Sequence, residues 1–106
     1  MRHLRHTLNA VIYPAGDQWI AHCLELDLVT QGNTDEHAVE MIAEAIQLVA
    51  ESNVRHGQPP LTFRSAPAED WDRLRGAEEV ATRLLRFDGS AFTDEVTLAP
   101  VVTRAA

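Results

Sequence analysis

Residues 8–13 (LNAVIY) are rich in β-forming side chains and stop at Pro14-Ala15-Gly16-Asp17, where proline ends a ladder and glycine tolerates positive φ. Residues 18–26 (QWIAHCLEL) then alternate, with Trp19, Ala21 and Cys23 on one face and Ile20, His22 and Leu24 on the other. After a short connection at Glu25-Leu26-Asp27, residues 28–31 (LVTQ) predict a third strand closed by Gly32-Asn33. The three make an antiparallel meander. At Thr34 the period changes. Its hydroxyl is placed to cap a helix, Asp35 and Glu36 suit the positive end of the dipole, and Ala38, Met41, Ile42, Ala45, Ile46 and Val49 recur at helical spacing. The opposite face carries Glu36, Glu40, Glu44, Gln47 and Glu51, and the helix is expected to end between Asn53 and Gly57, with Gly57 as left-handed cap.

Gln58-Pro59-Pro60 marks a boundary, so residues 1–57 read as a β-β-β-α module and residues 58–106 as a C-terminal extension packed on it or swapped between copies. In the extension, Leu61-Thr62-Phe63 predicts one more strand. Trp71, Leu74, Ala77, Ala81, Leu84 and Leu85 are spaced for a second helix that Gly76 weakens. Asp88-Gly89-Ser90 reads as a turn, and residues 95–102 (EVTLAPVV) as a terminal strand that Pro100 restricts to an edge or an extended arm. The fold class is α+β: a meander on one amphipathic helix, with a further helix and strand.

Charge narrows the functional classes. The chain of 106 residues has a net charge of −7, and its nine basic residues are all arginine. Phosphate binding needs clustered positive charge, so nucleic acid is not the expected partner, whereas a basic protein is. No run approaches a membrane span, the N-terminal residues lack the apolar core of a signal peptide, and the single Cys23 excludes an internal disulfide; a cytoplasmic protein is expected.

Glu25 and Asp27, two positions apart in a connection, are the carboxylates most suited to share a cation. A two-metal nuclease needs carboxylates from several elements, and the first strand offers none, which leaves a solvated loop or a contact to a basic partner. His3, His6, His22, His37 and His56 show no metal-ligand spacing with cysteine; His3 and His6 are expected in a mobile N-terminus, and His22 at a surface or edge. Cys23 is expected to pack as a small hydrophobe. No catalytic, metal or cofactor residue is assigned. Glu25, Asp27, Glu40 and Glu44 are the candidate partner contacts, with Trp71 and Phe92 as aromatics able to anchor an interface.

The run from Cys23-Leu24-Glu25-Leu26 through Thr30-Gln31-Gly32-Asn33-Thr34 and Glu36-His37-Ala38 to Glu44-Ala45-Ile46 resembles the core motif of HicB-like antitoxins, a C-x-E-L segment leading to T-x-G-x-T, E-x-A and E-A-I. With the preceding hairpin, the resemblance covers about the first half of the chain. It implies a truncated RNase H-like β-β-β-α-β module that binds a small HicA-type toxin, an RNA-cleaving protein of double-stranded-RNA-binding fold, and blocks its active site. Many members add a DNA-binding ribbon-helix-helix or helix-turn-helix domain. Here the chain departs from the family: residues 61–106 read as strand, helix, turn, strand, and from Ser65 onward eight acidic residues face five arginines. Direct operator binding is therefore not expected. A short chain with an open sheet edge is expected to self-associate, by edge pairing or exchange of its C-terminal arm.

Overall fold

The meander predicted from alternation is present in the computed structural model, which describes residues 2–88 and 92–104, with side chains from 5–87 and 94–104. Strands β1 (Arg2–Ala15), β2 (Gln18–Cys23) and β3 (Leu28–Gly32) pair antiparallel in sequence order. The β1–β2 turn uses Gly16 at φ +63. Helix α1 (Asp35–Arg55) follows, then a short helix α2 (Ala68–Trp71) continued by a 3-10 turn at Asp72–Leu74. Strands β4 (Glu78–Glu79), β5 (Arg83–Asp88) and β6 (Phe92–Val102) complete one mixed six-stranded sheet. The class is α+β, with α1 against one face and residues 66–74 crossing the other.

Strand β6 runs parallel to β1 from Arg2↔Phe92 to Ile12↔Val102, and its far side is covered by β5 and, beyond a break at residues 80–82, by β4. The expectation of a terminal edge strand or arm is therefore corrected: β6 is interior. Pro100 is tolerated there because of the break. Its carbonyl accepts the Val80 N–H at 3.2 Å, and in a strand a residue's N and C=O face the same side. The missing N–H thus faces the interruption between β4 and β5, where no full ladder is required.

The main core lies between the sheet and α1. Leu8, Ala10 and Ile12 from β1, Ala21 and Cys23 from β2, and Val96 and Leu98 from β6 meet Ala38, Ile42, Ile46 and Ala50, all with no exposed surface. The buried helix stripe is thus 38, 39, 42, 46, 50 rather than one centred on Met41 and Val49, and Val49 is 41% exposed. The helix begins as its sequence predicts: Thr34 Oγ1 accepts the His37 N–H at 3.0 Å, and His37 Nδ1 accepts the Asn33 N–H at 2.9 Å. It ends with Gly57 at φ +73 and the Gln58 N–H bonded to the Asn53 carbonyl. Gly32 is required for space: a Cβ on it would lie 2.5 Å from the Ala38 backbone nitrogen.

A second cluster on the other face joins Val11, Leu24 and Ala66, with Tyr13, Trp71, Leu74 and Val101 packed around it. The guanidinium of Arg73 lies 3.9 Å from the Tyr13 ring centroid, fixing the short helix against β1. Two expectations for this half are corrected. Residues 61–63 form no strand: Pro59 and Pro60 supply no donors, Leu61 drops into the core, and Arg64 and Ala66 donate their N–H groups to the carbonyls of Glu25 and Leu24. The second helix stops at Leu74 and Gly76 reverses the chain at φ +67. Leu85 and Phe87 then reach the core at strand period while Leu84 is 81% exposed. Two leucines in succession fit either period, and the pairing with β6 decided between them.

Candidate functional site

The sequence places Glu25 and Asp27 side by side, but the structure separates them. The Glu25 carboxylate lies just beyond the end of β2 and accepts from Asn9, the backbone N–H at 2.7 Å and the side-chain Nδ2 at 2.6 Å. It closes β1 where β2 has stopped pairing. Asp27 adopts φ 49, a left-handed turn conformation that aspartate tolerates better than most residues. Its Oδ1 lies 2.7 Å from Nε2 of His22. The two carboxylates therefore hold opposite ends of one turn and do not converge on a shared cation.

His22 is only 5% exposed, which corrects the surface or edge position expected for it. The signal was in the sequence: His22 shares its strand face with Ile20 and Leu24, and Leu24 is a buried member of the second core cluster. A buried imidazole needs a polar partner, and Asp27 supplies it. A second His–carboxylate contact was not legible. His6 Nε2 is 3.9 Å from Oδ2 of Asp94, which is 2% exposed, and the Phe63 ring sits 5.4 Å from the imidazole. These residues are 31 to 88 positions apart, and only the β1–β6 pairing and the passage of residues 61–66 across the strand ends bring them together. The mobile N-terminus expected for His6 is thus corrected to an ordered strand; the side chains of His3 and Phe92, and the turn predicted at 88–90 beyond Asp88, lie outside the described residues.

Cys23 is buried on the α1 side of the sheet, and its thiol is pushed up from the ordinary value of 9.0 to about 12 by burial and by the neighbouring Glu25 carboxylate. It is therefore protonated at neutral pH, the state least suited to nucleophilic attack. Among the described residues, no group of three or more His, Cys, Asp or Glu side chains is arranged to hold a metal ion. No helix among them is long and apolar enough to cross a membrane.

Glu40 and Glu44 lie in the open. Both are exposed on α1, and neither makes an ion pair among the described residues. The acidic stripe runs along the flank of α1 that faces β4 and β5. Glu36 and Glu40 border a groove of about 250 Å³ with Val39, Val80, Ala81, Val102 and Arg83. Gln47 and Glu51, linked at 3.0 Å, border a second groove with Phe87 and Arg86. Trp71, expected as a core or anchor aromatic, is half-buried, its Nε1–H donating to Ser65 Oγ and the Ala66 carbonyl.

Compared with known proteins, the chain matches no family model, no curated protein and no solved structure.

Proposed function

We propose that this chain is a non-catalytic, HicB-like binding protein of the cytoplasm, which neutralises a small basic HicA-type toxin by covering its RNA-cleaving surface. The observation that carries the reading is the acidic stripe of α1, in which Glu40 and Glu44 are exposed and without ionic partners among the described residues, whereas Glu25, Asp27 and Asp94 are engaged with Asn9, His22 and His6. An RNA-binding surface is positively charged, and a stripe of carboxylates on a rigid helix presents to it the sign, and roughly the spacing, of a phosphate backbone. The motif from Cys23 to Ile46 supports the same family. The non-catalytic part of the reading is supported by three engaged groups: Glu25 holds Asn9, Asp27 holds His22, and the Cys23 thiol is kept protonated.

Co-expression with a small basic protein of double-stranded-RNA-binding fold tests this. The two are expected to copurify and RNA cleavage to stop, and Glu40→Arg with Glu44→Arg should weaken the complex at least tenfold, mostly through the association rate. A toxin that remains free and active would sink the reading. A second reading is a stand-alone homo-oligomer without a toxin and without a DNA-binding domain; it is supported by residues 92–102 running in the sheet between β1 and β5, so that this segment shares the sheet of the first half.

A further inference from the structure

The sheet ends at β3, whose outer edge has no neighbour among the described residues. This edge is unusual in having no protection. Leu28-Val29-Thr30-Gln31-Gly32 carries no charge and no proline, the devices by which edge strands avoid pairing with another chain, whereas β5 at the other margin carries Arg83 and Arg86. Three further features meet at the same margin. Val29 is 53% exposed on it. The flank of α1 opposite its acidic stripe is apolar, with Met41 and Ala45 half-buried and Val49 and Leu48 41% and 57% exposed. The hydroxyl of Thr30, at the centre of the strand, is buried without a hydrogen-bond partner.

We infer that β3 and the adjoining apolar flank of α1 form a self-complementary interface through which two copies of this chain pair edge to edge about a two-fold axis at Thr30. The register in which all five residues of β3 pair sets Thr30 opposite its own copy, Leu28 opposite Gly32, and Val29 opposite Gln31, so the larger apolar side chains meet smaller or uncharged ones. A change of χ1 at Thr30 then gives its orphaned hydroxyl a partner in the symmetry-related threonine. The sheet becomes continuous across the axis, and the two α1 helices lie side by side on the same face with Leu48 and Val49 between them. Charge favours a second copy as the occupant. In a chain of net charge −7, the neutral margin is where two copies can meet without repulsion, and the acidic stripe faces away, towards β4 and β5. The interface therefore leaves the proposed toxin surface free, and it stands whether or not a toxin exists.

Light scattering over a concentration series tests it. The wild type is expected at twice the monomer mass of 11.8 kDa. Val29→Lys, which sets a cation on the edge, and Leu48→Glu, which charges the helix flank, should each raise the dimer dissociation constant at least tenfold without changing the circular dichroism spectrum. Leu84→Lys, on the β5 margin, should leave it unaltered. Mild oxidation of Thr30→Cys should give a covalent dimer, because residues on the axis sit at a Cα separation that a disulfide spans. A wild type that is monomeric throughout, or a dimer that survives both Val29→Lys and Leu48→Glu, overturns the inference. So does a dimer dissolved by Leu84→Lys alone, which would move the contact to β5.

Discussion

At single positions, this protein uses charged and special residues to finish its sheet. Glu25 satisfies two donors of Asn9 where β2 has ended, and hydrogen bonds to a charged acceptor are worth about 1.5–3 kcal/mol. Glu25→Ala should therefore lower stability to chemical denaturation by about 2–3 kcal/mol. A loss below about 0.5 kcal/mol would return Glu25 to the role of a solvated loop residue. Gly32→Ala should be at least as damaging, at about 2–3 kcal/mol, because the added methyl meets Ala38 backbone that cannot swing away. Gly16→Ala, with nothing within 4 Å, should lose only about 1 kcal/mol to its left-handed φ, so the two denaturation midpoints separate the two uses of glycine. Cys23 makes a prediction about pH. The folded state raises its thiol from 9.0 to about 12, so the folded form holds the proton more tightly than the unfolded one. Stability is whole below pH 9 and falls as pH rises from 9 towards 12, by up to about 1.4 kcal/mol per pH unit. Cys23→Ala should flatten that alkaline decline in urea titrations at successive pH values.

Among the elements, α1 shows how much of a helix its own sequence encodes. Its start is local: Thr34 takes the first-turn His37 N–H, Asp35 balances the dipole and the His37 ring takes the Asn33 N–H just before the cap, and Thr34→Ala should remove about 1 kcal/mol that Thr34→Ser retains. Its packed face is not local. The apolar residues cover a band wide enough for two orientations, one through Met41 and Val49 and one through Val39 and Ala50, and the sheet chose the second. Ile46 sits centrally in both, so Ile46→Ala should lose about 2–5 kcal/mol, while Val49→Ala, on the exposed flank, should cost the isolated subunit under about 1 kcal/mol. Strand β5 carries the same lesson in the opposite direction: Leu84 and Leu85 satisfy a helical spacing, but β6 offers a ladder and Gly76 has already ended the helix.

For the whole molecule, the decisive feature is that β6 pairs with β1 over eleven positions, from one end of the first strand almost to the other. Val96 and Leu98 are fully buried in the same core as Leu8 and Ile42. A chain cut after Gly57 would expose one whole side of β1 and remove Leu61, Phe87, Val96, Leu98 and Val102 from that core. It is expected to lose its cooperative unfolding transition and its dispersed amide NMR spectrum; a dispersed, cooperatively melting fragment would show that residues 1–57 fold alone.

The meander, the capped helix and the α+β class were all legible in the sequence, because alternation, turn residues and a capping threonine act over a few neighbouring positions. So was the acidic stripe, which depends only on helical spacing. Which way α1 turned its apolar band, the interior place of a proline-containing strand, the burial of His22 and the separation of Glu25 from Asp27 were decided only by the tertiary structure. Each depends on a partner many positions away: β6 against β1, the break at 80–82 facing Pro100, residues 64 and 66 beside the β2–β3 turn. No local pattern records such a partner, because the hydrogen bonds and buried surface that stabilise it form only when the sheet closes.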